Sequence, residues 1–207
     1  MLSVVSSQSS APHRESAQTF DNREPITTAA PPTLCLQCHD TPLPLDWCDA
    51  WGEYRGALER LLLALKFERH DFLDDALARL LHETLTARGD TAFDAIVAVP
   101  MSPARERRRG YNQSELLARA LAPRAAVRCD MTLLTRSGEQ ATQSTLPKKA
   151  RAANVKGAFA ASSRVKDKSI LIVDDICTTG ETLRACASAL RDAGAVRVCA
   201  ITVAKAS

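Results

Sequence analysis

An α/β fold, with a parallel sheet flanked by helices, is predicted by the order of apolar segments along this chain. Two short apolar runs, AIVAVP at 95–100 and ILIVDD at 170–175, have the length and branched side chains of buried strands. A third run, VRVCAITVA at 196–204, follows the last helical segment. Strands that alternate with helices usually pair in parallel, and ligands then bind beyond the carboxyl ends of the strands.

The helices of this prediction follow from apolar spacing and from capping residues. A first helix begins after Tyr54, and a second follows Asp71, which suits an N-cap. Asn112 can cap a third helix, and a fourth extends over 180–193. The apolar positions of the first two helices are Leu58, Leu61, Leu62 and Leu65, then Leu73, Ala76, Leu77, Leu80 and Leu81.

Two polar segments are predicted to be loops. SPARERRRGYNQ, at 102–113, follows the first apolar strand, and RSGEQATQSTLPKKARAAN, at 136–154, has no apolar period over its first ten residues. Between them, MTLLT at 131–135 is a weaker strand candidate. The second polar segment is expected to be mobile.

The composition is typical of a soluble globular protein. Of the 207 residues, 45% are hydrophobic and 25% are charged, and no apolar run approaches the roughly 18 residues of a membrane span. We therefore expect no membrane insertion and a cytoplasmic location. Residues 1–33 are rich in Ser, Thr, Ala and Pro and are expected to form a disordered leader, followed by a small segment at 34–52 and the main domain at 53–207.

The net charge of +3 hides a basic middle segment. Residues 101–156 contain 12 Lys and Arg against 4 Asp and Glu, a balance of +8, so the remainder sums to −5. A segment with this charge indicates an anion site, a nucleic-acid surface, or both.

The segment ILIVDDICTTGET combines carboxylates with an anion-binding backbone. Asp174 and Asp175 end an apolar strand, and because burying unpaired carboxylates is costly, we expect them at a solvent-facing mouth. Hydroxyls and a glycine then occupy a helix start, which favours phosphate. A ribose 5-phosphate would suit both parts of the segment, because its hydroxyls can bind the carboxylates and its phosphate can bind the helix start. Two alternatives remain: a capping box formed by Thr178 and Glu181, and a magnesium site of another phosphotransfer domain.

IVDDICTTGET resembles the signature of type I phosphoribosyltransferases, which bind phosphoribosyl pyrophosphate (PRPP). From Tyr54 onward the chain resembles the ComF, or competence-protein, family of phosphoribosyltransferase-like proteins. Three further stretches carry this resemblance: YRGALERLLLALKF, VAVPMSPARERRRGYNQSELLARALA and LTRSGEQATQSTLPKKARAANVKGAF. The implied fold is a type I phosphoribosyltransferase-like sheet.

The resemblance also implies roles for individual residues. The acid pair, Asp174 and Asp175, would hold the ribose 2′ and 3′ hydroxyls and form the catalytic centre, with Mg²⁺ bridging to the pyrophosphate. Bidentate arginine contacts suit the pyrophosphate itself. The 5-phosphate would be held by Thr178, Thr179, Gly180 and Thr182, with Glu181 beside them; the pyrophosphate would face Arg105, Arg107 and Arg109, and the flexible segment would contribute Arg136, Gln143 and Arg151.

The seven cysteines indicate reduced thiols or metal ligands rather than a disulfide framework. The ComF resemblance implies a small zinc ribbon with two CxxC pairs in 34–52, of which this chain keeps one complete pair. Zn²⁺ binding is one interpretation, and a metal-free, degenerate remnant is the other. The candidate ligands are Cys35, Cys38 and Cys48, with His39 or Asp49 as the fourth and Trp51 where the last cysteine would stand.

Two functions are compatible with these residues. The first is a Mg²⁺-dependent phosphoribosyltransferase that transfers ribose 5-phosphate from PRPP to an unidentified acceptor. The second is a non-catalytic competence module that binds PRPP as a ligand, holds single-stranded DNA on the basic surface, and works with DNA-uptake machinery. Few aromatic side chains lie in the basic segment, so base stacking offers the second function little support.

Overall fold

The computed structural model describes residues 44–67, 72–136 and 157–206. The strands are β1 (Trp47–Glu53), β2 (Ala95–Ala98), β3 (Leu134–Arg136), β4 (Phe159–Ala161), β5 (Ser169–Cys177) and β6 (Arg197–Lys205). The helices are α1 (Gly56–Phe67), α2 (Leu73–Arg88), α3 (Pro103–Arg109), α4 (Gln113–Ala125) and α5 (Glu181–Asp192), with a 3-10 turn at Ser163–Val165.

Four strands form a parallel sheet in the order β1-β6-β5-β2. Leucines of α1, α2 and α4, among them Leu62, Leu81 and Leu117, pack in one core on one face of the sheet. Leu183 and Leu190 of α5 belong to a second core on the other face. The predicted α/β class, a parallel sheet with helical cover, is therefore confirmed.

The predicted strands and helices are largely present, with local differences in which side chains are buried. α1 buries Leu58, Leu62 and Leu65, whereas Leu61 is 39% exposed, so the expected position of Leu61 on the apolar face is wrong. Ala76 of α2 is likewise exposed. Asp71, the expected cap of this helix, lies outside the described residues.

The weaker strand candidate is also present, although it does not join the parallel sheet. β3 pairs with β4 in a separate antiparallel ribbon, in which Arg136 lies opposite Phe159. The intervening polar segment, apart from Arg136, lies outside the described residues.

The basic segment after β2 is a short helix, so its prediction as a loop is wrong. Ser102 caps α3 by accepting a hydrogen bond from the N–H of Arg105 at 3.4 Å, and Pro103 occupies its first turn. Gly110 ends the helix with φ of 85°, a left-handed conformation that glycine adopts without strain. Apolar periodicity failed here because α3 buries none of its residues.

β1 was not predicted from the sequence. Its residues pair in parallel with β6, with Cys48 opposite Ala200. The segment WCDAWGE has no continuous apolar run. A strand at the edge of the sheet does not need one, and six of the seven residues are only partly buried or exposed. Trp47 and Trp51 pack against the core on the α1–α2 side, which anchors this edge.

Candidate functional site

The acid pair lies within β5, which continues beyond the carboxylates to Cys177. Asp174 and Asp175 are only 8% and 5% exposed, so the expectation of solvent-facing carboxylates is wrong. The physical reason is that neighbouring polar groups compensate for burial. Asp174 still borders a pocket at this end of the sheet, which is lined otherwise by Ile176 to Leu183.

Asp174 is held by hydrogen bonds from two donors. The hydroxyl of Ser114, in the first turn of α4, donates to Asp174 Oδ1 at 2.6 Å, and the Asp175 N–H donates to the same oxygen at 2.9 Å. Burial raises the pKa of Asp174 well above its usual value, and repulsion from Asp175 raises it further, while the Ser114 hydrogen bond opposes both. The protein therefore bears an electrostatic cost to hold Asp174 ionised.

Asp175 is held from the opposite side by a cation and an amide. The ammonium group of Lys66, in the last turn of α1, lies 2.8 Å from Asp175 Oδ2. Gln113 Nε2 donates to the same oxygen at 3.5 Å, and Arg109 in turn donates to Gln113 Oε1 at 2.6 Å. These contacts link α1, α3 and α4 to the acid pair.

The loop after β5 leads directly into α5. Gly180 has φ of 72° and acts as the N-cap without a side-chain hydrogen bond, so the capping-box alternative for Thr178 and Glu181 is wrong. Thr178, Thr179 and Thr182 are exposed. The N–H groups at the start of an α-helix lack intrahelical partners, and together with these hydroxyls they form a surface suited to an anion.

The candidate arginines are divided between two elements. On the helix α3, Arg105 and Arg109 lie four residues apart and share a face, whereas Arg107 points to another side. Arg136 lies at the end of β3 with its guanidinium 5.2 Å from the centre of the Phe159 ring. Burial lowers the pKa of Arg136, and the nearby charge of Arg105 lowers it further.

Within the described ranges, no ion pair joins Arg105 or Arg136 to a carboxylate. Two neighbouring guanidinium groups that lack a carboxylate between them favour an anionic ligand. Arg151 and Gln143 lie outside the described residues, so their predicted roles stay predictions.

Sequence reasoning missed three residues that contact the acid pair: Lys66, Gln113 and Ser114. A signal for Lys66 was available, because it lies four residues after Leu62 and so belongs to the buried face of α1. A lysine on a buried face requires an acceptor. Gln113 and Ser114 follow the cap Asn112 and reach β5 because α4 begins beside that strand. No sequence pattern indicates that the start of α4 lies next to β5.

The cysteine segment is only partly described. Cys48 lies in β1 beside Asp49, the carboxylate considered as a further ligand. Asp49 instead pairs with Arg88 at 2.9 Å. Among the described residues there is no group of three or more His, Cys, Asp and Glu side chains suited to a metal ion. Cys35, Cys38 and His39 lie outside those residues.

None of the described helices combines the length and apolar character needed to cross a bilayer.

Comparison with known proteins identifies relatives over most of the chain. Residues 108–207 match the phosphoribosyl transferase domain family. The chain is 39% identical over 175 residues to DNA utilization protein YhgH of Salmonella typhimurium, covering 82% of this chain and 77% of that protein. It is 32% identical over 150 residues to competence protein F of Haemophilus influenzae, covering 69% and 66%.

Among solved structures, glutamine PRPP amidotransferase from B. subtilis aligns with a TM-score of 0.46 and 18% identity, over 68% of this chain and 30% of that one. The residues matched by the domain family include β5, α5 and β6, and so contain the acid pair and the loop after it.

Proposed function

Because the chain belongs to the ComF family of phosphoribosyltransferase-like proteins, we propose that it binds PRPP through the segment from Asp174 to Thr182. The position of the acid pair, directly before an exposed helix start rich in threonine, supports this function. Carboxylates accept hydrogen bonds from ribose hydroxyls, while hydroxyls and free N–H groups bind phosphate. A ribose 5-phosphate presents both kinds of group on one ligand.

The acid pair is suited to receive ribose hydroxyls because its carboxylates are already oriented. Ser114 and Lys66 hold one carboxylate each, so binding requires little further ordering of either side chain. The 5-phosphate then lies against the start of α5 and accepts hydrogen bonds from Thr178, Thr179 and Thr182. Gly180 allows the backbone to turn close to the ligand.

The same donor set fits Mg²⁺, which takes carboxylate oxygens together with substrate phosphates. Asp174 is the candidate ligand of this chain, since it borders the pocket. When bound, Mg²⁺ supplies positive charge to the departing pyrophosphate. Arg105 and Arg136 would add bidentate hydrogen bonds to the pyrophosphate oxygens.

We further propose that the protein is a transferase. The bond between C1 of the ribose and pyrophosphate breaks, pyrophosphate leaves with the bonding electrons, and an unidentified acceptor forms the new bond to C1. The side chains of this site would act by orienting the ribose and by stabilising charge on the leaving group. No nucleophilic side chain is needed.

Calorimetric titration of PRPP with Mg²⁺ tests the binding site. Wild type is expected to bind, and the Asp174→Asn/Asp175→Asn variant to lose binding, because the ribose hydroxyls lose their charged acceptors. Asp192→Asn, an exposed carboxylate at the end of α5, is the matched control and should bind like wild type. A folded wild-type protein that binds no PRPP would contradict this function.

A second function, single-stranded DNA binding, is favoured by two observations. Arg107 and Arg108 of α3 are exposed, and relatives bear the names DNA utilization protein and competence protein. We expect affinity for an oligonucleotide to fall steeply with salt if phosphate contacts dominate. Arg108→Gln should then flatten the salt dependence without affecting PRPP binding. Absence of oligonucleotide affinity at low salt would exclude this function.

A further inference from the structure

Lys66 is a partly buried cation directed at the acid pair from a helix outside the strand–loop–helix segment. Its Nζ atom lies 2.8 Å from Asp175 Oδ2, and its side chain is only 19% exposed. Lysine is rarely this buried without a specific partner. The ion pair joins α1 to β5 across 109 positions of sequence, so it is a tertiary contact of the site.

The end of α1 is held by two further contacts, one from the last residue of α3 and one from the turn that follows it. The Tyr111 hydroxyl donates to the Leu65 carbonyl oxygen at 2.5 Å, and the Arg109 guanidinium lies 5.4 Å from the centre of the Phe67 ring. These contacts flank Lys66 on both sides in sequence. The backbone that carries Lys66 is therefore tied to α3 and to the turn after it.

The two carboxylates differ in how their charge is compensated. Asp175 has Lys66 as a cationic partner, whereas no ion pair among the described residues involves Asp174. Among the described residues, the hydrogen bonds to its carboxylate come from the Ser114 hydroxyl and a backbone N–H. An arriving cation therefore meets one uncompensated negative charge rather than two.

We propose that Lys66 is a positioning residue of the PRPP site: it holds Asp175 as a ribose acceptor and keeps the affinity of the acid pair for a free divalent ion low. This inference rests on the proposed function. With one carboxylate already neutralised, the site holds a divalent ion tightly only when the ligand's phosphates supply further oxygens. Lys66 thus selects the metal–PRPP complex over the free metal.

The test uses Mn²⁺, which takes the same oxygen ligands as Mg²⁺ and is counted by electron paramagnetic resonance. Full-length wild type, Lys66→Met, Lys66→Arg and Lys166→Ala are titrated with Mn²⁺ alone. Methionine keeps an apolar stem of similar length, and arginine keeps the charge. Lys166, exposed and located before β5, controls for the loss of any lysine.

Loss of the positive charge should increase Mn²⁺ affinity. An opposite charge at this distance commonly changes a carboxylate's proton affinity by about 10- to 1000-fold, and we expect a gain of about tenfold for Lys66→Met. Lys66→Arg and Lys166→Ala should bind like wild type. The double variant Lys66→Met/Asp175→Asn should lose the gain. A residue with a merely structural role would not produce tighter binding on removal.

Unchanged or weaker Mn²⁺ binding by a folded Lys66→Met variant would overturn the inference. Circular dichroism establishes folding, and Lys66→Gln, which keeps a hydrogen-bond donor without the charge, replaces the methionine variant if that one does not fold. Titration of PRPP into wild type is a separate arm. If wild type binds no PRPP, the proposed function is overturned. The Mn²⁺ comparison would still test the charge balance around Asp175.

Discussion

Asp174→Asn is expected to make the protein more stable while it weakens ligand binding. Asp174 is 8% exposed, and burial together with the neighbouring Asp175 raises its pKa, so ionisation of this carboxyl is costly. Burial of an ion costs several kcal/mol, and its two hydrogen bonds return only part of that cost. Asparagine keeps an oxygen that accepts the same two hydrogen bonds and removes the charge. We expect the free energy of unfolding to rise by about 1–2 kcal/mol at neutral pH.

The pH dependence separates this explanation from improved packing. The folded-state pKa of Asp174 is raised, so its contribution to stability is fully present below the unfolded-state pKa of about 3.9 and is lost as pH rises through the folded-state value. The advantage of Asp174→Asn should therefore be small near pH 4 and should grow towards neutral pH.

Thermal unfolding followed by circular dichroism measures the effect. For a chain of this size, 1–2 kcal/mol corresponds to an increase in Tm of about 2–8 °C at pH 7.5. Asp192→Asn, on the exposed surface, should leave Tm unchanged. A lower Tm for Asp174→Asn at pH 7.5, or an equal increase at pH 4.5 and pH 7.5, would refute the role of buried charge.

Three other outcomes are expected. Gly180→Ala should reduce stability by about 1 kcal/mol, because a side chain is unfavourable at φ of 72°, and should also weaken PRPP binding; an unchanged urea midpoint would contradict the strain. Leu81→Ala, at a fully buried position of α2, should lower the free energy of unfolding in urea by about 2–5 kcal/mol. Leu61→Ala, at an exposed position, should lower it far less. Equal losses of unfolding free energy would contradict the assigned core. Purified protein should contain well under stoichiometric zinc, since Cys48 is held in β1; one equivalent that survives gel filtration would show that the cysteine segment is a metal site.

The sequence predicted the elements whose apolar pattern is strong. The run before Asp174 identified β5, and Gly194 marked the end of the following helix, because these signals are local. β1 escaped prediction because an edge strand needs no continuous apolar run, and α3 escaped because it is polar on every side.

The partners of the acid pair escaped prediction for another reason. The sequence indicated that two adjacent carboxylates bind a ligand, but assigned no compensating group to either. Lys66 and Ser114 reach them only because α1 and α4 cross the same end of the sheet. Contacts between elements that are distant in sequence depend on the packing of the whole fold, which no local pattern encodes.

The position of β6 between β1 and β5 has a consequence for synthesis on the ribosome. β6 is the last of the described strands to be translated, yet it forms hydrogen bonds with both β1 and β5. Until Arg197–Lys205 leaves the exit tunnel, the nascent chain presents two strands with unpaired edges, which are prone to association with other chains. Completion of the sheet, and with it support for β5 and its acid pair, therefore waits until β6 has been translated.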